Sequence, residues 1–318
     1  MPMQYFSIDY FVKEVNDNAW IVLGEAMISR HSSKPIQPHW EDDEGFFFTM
    51  EKTPSPRPPT RAISDSCPIS DVLQQSMYNL ETLLKIGKAH LHVTPNIGAK
   101  EHNTLKAVAE KSYNFMVPTE YCHGEYGDFY YIAYSILPGK SIAEIWPKTK
   151  DKALRAKWAC QIADAYSEMA KWRGDAICGV DGGHLWETRI SKDRADNPRT
   201  FTPEVLRKNF DEAGIDCSNI VFCHNHVTPL CFTVDEDRGL LGITRWSAAG
   251  FVPTEWPQTA AQSNGFLEAS PLTNATWTRE DKQDWREQIL TALYEIDVFS
   301  QNWPAYANWN DTLRWQTD

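Results

Sequence analysis

Residues 224–231 read HNHVTPLC, and residues 242–247 read GITRWS. Around them lie three short apolar runs, 220–223 (IVFC), 230–234 (LCFTV) and 240–244 (LLGIT). Short apolar runs rich in branched and aromatic residues read as strands. The polar stretch Glu236-Asp237-Arg238-Gly239 separates the last two runs, and a glycine-ended linker of that kind predicts a β-hairpin. His224, His226, Cys231 and Arg245 are the chemistry-bearing side chains of this region.

Working outward, the preceding segment predicts a long helix. From Asp151 the apolar residues Leu154, Trp158, Ile162, Ala165, Met169 and Trp172 recur at spacings of three and four, the stripe of an amphipathic helix. Residues 191–202 (SKDRADNPRTFT) read as a surface loop. Further on, Thr278 with Asp281 three residues later predicts a capping box. It opens a helix with Trp285, Ile289, Leu293 and Ile296 on one face. Toward the N-terminus the reading turns to strands: 19–28 (AWIVLGEAMI), 45–51 (GFFFTME) and 129–137 (FYYIAYSIL), the last ended by Pro138-Gly139. Pro54, Pro56, Pro58 and Pro59 make an extended connector. Between Ser70 as N-cap and Gly87 as stop, Leu73, Met77, Leu80 and Leu84 predict a helix.

The 318 residues suffice for one large domain or two modest ones. With 31 Lys+Arg against 43 Asp+Glu, the formal charge is −12. That argues against a general nucleic-acid or anionic-membrane binder, which needs a basic field. No stretch approaches the ~20 apolar residues that span a bilayer, and the first residues, MPMQYFSIDYFVKEV, do not read as a signal peptide. The seven cysteines are odd in number and contain no CxxC pair. The expectation is a soluble, cytoplasmic chain with free thiols.

The order of strands, helix, Pro-Gly hinge, long helix, loop and hairpin is that of a bilobal kinase-like fold. Residues 224–231 resemble the catalytic loop of the aminoglycoside-phosphotransferase-like (choline-kinase-like) family, whose pattern is His-x-Asp, four residues, then Asn. Residues 242–247 resemble its metal-binding segment, an apolar pair followed by Asp-Trp-Glu. Residues 249–253 (AGFVP) with Glu255 and Trp256 resemble the continuation in fungal members, and residues 136–139 (ILPG) the end of the hinge. The resemblance implies an α+β, protein-kinase-like fold. It has a strand-rich N-lobe over residues 1–137 with one major helix. A mainly helical C-lobe follows over 138–318. It places Glu81 at the family's helix glutamate and Lys52 at the phosphate-side lysine. The plain alternatives are a surface position for Glu81 and a solvated strand end for Lys52.

The departures from the pattern are in the chemistry. Where the family has its catalytic Asp, its second metal-ligating Asn and its Mg²⁺-holding Asp, this chain has His226, Cys231 and Arg245. Phosphoryl transfer depends on positioning and on metal neutralisation of phosphate charge, and Mg²⁺ takes oxygen ligands. Arg245 puts a permanent positive charge where the ion belongs. Two unit charges at 4 Å interact by ~4 kcal/mol at an effective dielectric of 20, and a dication feels roughly twice that. The expectation is therefore no Mg·ATP phosphotransfer, no metal and no cofactor.

The altered residues suggest other work. His226, near its ordinary pKa, suits general acid–base chemistry; the alternative is a space-filling side chain. Arg245 suits a carboxylate, phosphate or enolate; the alternative is an internal ion pair with Asp235, Glu81 or Glu51. His224 is expected to support the loop and, with Cys231, Trp246, Trp256, Glu81 and Lys52, to belong to the substrate-binding set. A zinc site on His224, His226, Cys223 and Cys231, or a Cys231 nucleophile with His226 as base, is the weaker possibility. The leading expectation is a cofactor-free enzyme of the cyclase, isomerase or lyase type in fungal secondary metabolism. Its partner is a small anionic or enolisable organic substrate, with no nucleic acid and no membrane. The alternatives are a non-catalytic pseudokinase that binds a ligand or protein, and a divergent phosphotransferase.

Overall fold

The computed structural model describes residues 7–71, 81–96, 98–192, 201–263 and 271–314. It is a mixed α+β protein, strand-rich in its first part and mainly helical in its second. The chain divides into two compact units, residues 1–96 with 118–136 and residues 97–117 with 137–318.

The first unit begins with a single helical turn, α1 (Ile8–Phe11), and holds two antiparallel sheets. The first sheet contains β1 (Val12–Asn16), β2 (Ala19–Val22), β3 (Ala26–His31), β4 (Trp40–Glu41) and β5 (Phe47–Lys52), in the order β1-β2-β3-β5-β4. The second contains β6 (Ile69–Asp71), β7 (Thr82–Ile86), β8 (Ala89–Pro95), β9 (Glu120–Tyr126) and β10 (Phe129–Ser135), in the order β6-β7-β8-β10-β9. One core joins them: Trp20, Val22, Ile28 and Phe48 from the first pack with Leu84, Leu91, Val93 and Tyr131 from the second. Period-two alternation decides which side chains enter it. Two polar tips close the interface, with Trp40 Nε1 donating to Ile86 O at 2.9 Å and Tyr131 Oη donating to Val22 O at 3.2 Å. The proline connector forms no helix or strand. Its far end returns along β1, where the fully buried Glu14 accepts from Arg61 Nε at 2.9 Å and from Ser64 N at 2.8 Å.

The helix expected between Ser70 and Gly87 is corrected at both ends. Ser70 lies on β6 and Leu84 on β7; Leu73, Met77 and Leu80 fall outside the described residues. In Thr82-Leu83-Leu84-Lys85-Ile86 the local pattern also fits a strand. Gly87, at φ +58, opens the two-residue turn that pairs Ile86 with Ala89. The residue read as a helix stop is thus a hairpin corner.

The prominent helix of this half of the chain is instead α2 (Glu101–Ala109), and it belongs to the second unit. Its buried residues Glu101, Thr104, Leu105 and Val108 keep helical spacing. The second unit continues with β11 (Lys140–Ser141), α3 (Ile142–Ile145) and α4 (Lys152–Met169). Asp151 caps α4 by accepting from Ala153 N and Leu154 N. Then come β12 (Arg173–Gly174), α5 (Pro203–Glu212), β13 (Ile220–Cys223), β14 (Phe232–Asp235), β15 (Leu240–Ile243) and β16 (Gly250–Pro253). Among the described residues α6 (Trp256–Ala261), α7 (Pro271–Thr276), α8 (Arg279–Tyr294) and α9 (Trp303–Arg314) follow. Thr278 and Asp281 form the expected capping box on α8, and Trp285, Ile289 and Leu293 are buried. The expected hairpin is β14–β15, with Val234 opposite Leu241. Two small sheets result, β11-β14-β15 and β12-β13-β16. Residues 224–231 and 244–249 are the two segments that cross between them.

Candidate functional site

Those two crossings set the geometry of the candidate site. His224 leaves β13 fully buried. Its Nδ1 lies 3.2 Å from the carbonyl of His226, and its Nε2 lies 2.9 Å from the carbonyl of Thr244. One imidazole thereby ties the first crossing to the second. Burial pushes its pKa down to about 4, against the opposing pull of the two carbonyls. His224 is therefore neutral at cell pH, and its single N–H donates to one of these two carbonyls.

Asn225 follows in the left-handed region at φ 62, and donates from Nδ2 to Ala248 O at 3.0 Å. Its own carbonyl accepts from the Arg189 guanidinium. Arg189 is held by Glu187 through contacts of 2.8 and 2.6 Å, and Glu187 also accepts from Trp256 Nε1 at 2.9 Å. The left-handed turn is thus fixed from both sides, which aims the backbone at His226. That histidine is 8% exposed. Cys231 closes the crossing fully buried, with its N–H on Thr228 O and its carbonyl accepting from Thr244 N at 2.9 Å.

Arg245 stands at the start of the second crossing in the left-handed region, at φ 62 and ψ 62, and is 7% exposed. A non-glycine residue there is a local strain of order 1–3 kcal/mol that the surrounding structure must hold. The holding contacts follow directly. Trp246 donates its backbone N–H to Glu101 Oε1 at 2.7 Å and its indole N–H to Ile243 O at 2.9 Å. Its ring packs edge-on to His224 at 4.9 Å and stacks with Phe115 and Phe222.

The structure brings His224, His226, Cys231, Arg245 and Trp246 together on adjoining crossings. Trp246 and Trp256 are both fully buried. Their indoles serve packing and hydrogen bonds, and present no open face to a substrate. Lys52 ends β5, exposed and in register with Ala26, and makes no ion pair among the described residues. Glu81 precedes β7, with Oε1 2.8 Å from Nε2 of the buried His92. Asp235, one acid considered for Arg245, accepts from Arg238 N at 3.1 Å across the hairpin turn. Among the described residues, no three His, Cys, Asp or Glu side chains form a group that would hold a metal ion.

Sequence reasoning missed Glu101 and the Glu187–Arg189 pair. Glu101 opens a helix that was not predicted, and its spacing to Trp246 is a tertiary fact. Nothing in the local pattern around Glu187 and Arg189 distinguishes a buried pair from a solvated one.

No family model matches the chain, and no curated protein matches it in sequence. Solved structures do resemble it. An aminoglycoside-3'-phosphotransferase of type VIII is similar with a TM-score of 0.40 and 14% identity, over 71% of this chain and 93% of that one. An ethanolamine kinase of Plasmodium vivax is similar with a TM-score of 0.39 and 12% identity, over 78% of this chain and 76% of that one. At such scores these likenesses assign no residue and no activity to this chain.

Proposed function

We propose that this is a kinase-fold protein that has lost Mg·ATP phosphoryl transfer, and that its former catalytic segment now serves a small anionic or enolisable organic molecule. The observation that carries the reading is Arg245: a buried, permanent cation at the position where the sequence resemblance puts the Mg²⁺-holding carboxylate. Two further features support it. A kinase carries its phosphate-side lysine on the third strand of the N-lobe sheet and pairs it with a helix glutamate. Counting β6, β7 and β8 as the first three strands, the third reads Ala89-His90-Leu91-His92-Val93, without a lysine. The buried glutamate of the following helix, Glu101, holds a backbone N–H of the old metal segment.

In this reading Arg245 receives the anionic oxygen of the substrate, and His226 takes or returns a proton on the adjacent carbon or oxygen. The reaction class is a cyclisation, isomerisation or elimination without a cofactor. A setting in secondary metabolism rests on the sequence resemblance alone. A second reading, a non-catalytic ligand- or partner-binding pseudokinase, is favoured by the low exposure of His226 and Arg245, 8% and 7%.

The first experiment is thermal unfolding with and without millimolar Mg·ATP, paired with an ATPase and phosphotransfer assay. The expected outcome is no rise in Tm and no turnover. A rise abolished by EDTA, together with turnover lost in Arg245→Ala, overturns the proposal. Once a substrate is in hand, His226→Ala and Arg245→Ala separate the two readings. Turnover unaffected by both removes the enzyme mechanism.

A further inference from the structure

Apart from that site, α4 and the end of α8 border an open hollow of about 450 Å³ in the second unit, a size suited to a small organic ligand. Its floor is apolar and mostly small-sided, built by Ala163, Ala170, Ala292 and Ile296, all buried. Five exposed charged side chains rim it: Lys171 and Arg173 beyond the end of α4, Asp164 on α4, and Glu295 and Asp297 beyond the end of α8. None of the five is in an ion pair among the described residues.

The two helices run in the same direction. Arg155, in the first turn of α4, binds Asp281 and Asp284 in the first turns of α8, each at 2.7 Å. Both C-termini therefore arrive at the hollow, each carrying about half a negative charge. At α4 that charge is offset by Lys171 and Arg173. Neither last turn holds a basic residue, but at α8 the residues that follow, Glu295 and Asp297, are acidic and add to the charge. The hollow thus carries Lys171 and Arg173 with Asp164 along α4, only acidic groups beyond α8, and an apolar floor.

We propose that this hollow binds a small zwitterion with a flat apolar body, of the class of the aromatic α-amino acids. The ring lies on the alanine floor. The ammonium faces Glu295, Asp297 and the end of α8, and the carboxylate faces Lys171 and Arg173. Because negative charge dominates, the ammonium is the indispensable group and the carboxylate the secondary one. This proposal is independent of the function proposed above, since it shares no residue with that site.

Cys160 supplies the readout. It lines the hollow and is exposed, whereas Cys67 and Cys122 are half-buried and the remaining four cysteines are buried. Iodoacetamide alkylation of Cys160 in the full chain is followed by peptide mass, with L-phenylalanine, phenethylamine or 3-phenylpropionate present at millimolar concentration. Calorimetric titration of the same three compounds reads binding directly. The expected result is saturable protection by phenylalanine, weaker protection by phenethylamine and none by 3-phenylpropionate. Glu295→Gln combined with Asp297→Asn should weaken phenylalanine binding by about tenfold with Tm unchanged. Absence of saturable binding by both amines, or binding by 3-phenylpropionate equal to phenylalanine, overturns the proposal.

Discussion

The carboxylate of Glu101 accepts the backbone N–H of Trp246 at 2.7 Å, and neither residue is more than 1% exposed. This bond anchors the residue that follows the left-handed Arg245. Glu101→Ala leaves a buried amide without its acceptor and should cost about 1–3 kcal/mol. Glu101→Gln keeps a carbonyl oxygen in place and should retain most of that stability. Urea unfolding of the two variants checks this. An Ala variant within about 0.5 kcal/mol of the parent, the range of neutral surface changes, refutes the anchoring role.

Arg155 is 7% exposed and bonds Trp146 O, Asp281 and Asp284 at 2.6, 2.7 and 2.7 Å. Removing one member of a buried charged group leaves the others uncompensated. Arg155→Ala should therefore destabilise by about 3–5 kcal/mol. Arg155→Lys should recover little, because an ammonium cannot reproduce the fork that reaches three acceptors. Equilibrium unfolding that finds Lys equal to Arg contradicts the geometric account.

Burial, ahead of the unfavourable charge of Lys85, pushes His90 down to about 4, and burial does the same to His224. Unfolded histidines titrate near ~6.5. Between these values the unfolded chain binds protons that the folded chain refuses, so stability rises with pH. The contribution is complete above ~6.5 and falls as pH drops toward about 4, by up to about 1.4 kcal/mol per pH unit for each histidine. Unfolding midpoints between pH 7.5 and 5 report it, above the range where carboxylates titrate. A neutral His224→Gln or His90→Gln variant should flatten the slope. A parent protein with no slope in this window refutes the assignment.

Gly139 has φ +99, and a Cβ there would lie 2.3 Å from Val234 O. Gly239 has φ +68 with nothing within 4 Å of such a Cβ. Gly239→Ala should cost only the left-handed penalty of about 1–2 kcal/mol. Gly139→Ala adds a clash with backbone that cannot rotate away and should cost clearly more. Equal losses in the two variants, read by thermal unfolding, contradict the steric argument.

The parts of the fold visible in the sequence are those with a local pattern. The α4 stripe from Leu154 to Met169, the Thr278–Asp281 capping box and the β14–β15 hairpin each carry their signal within a few residues. The 70–87 segment shows the limit of that signal. Its apolar spacing fits a helix, but Thr82–Ile86 pairs with β8 on one side and β6 on the other. Strand pairing contributes more there than helix propensity, and a one-dimensional period does not contain the partner strand.

The sequence by itself determined that four of the expected side chains are close neighbours, whereas Lys52, Glu81 and Trp256 lie elsewhere. His224, His226, Cys231 and Arg245 lie close along two crossings of one hairpin, so local connectivity brings them together. Only the tertiary structure decided what each one faces. The bond of Glu101 to Trp246 spans 145 residues, and Arg189 reaches the Asn225 carbonyl across 36. The setting of Trp256, whose indole N–H donates to Glu187 across 69 residues, likewise depends on elements far apart in the chain. Such contacts follow from the packing of whole helices and sheets, and leave no periodic trace in the residues that make them.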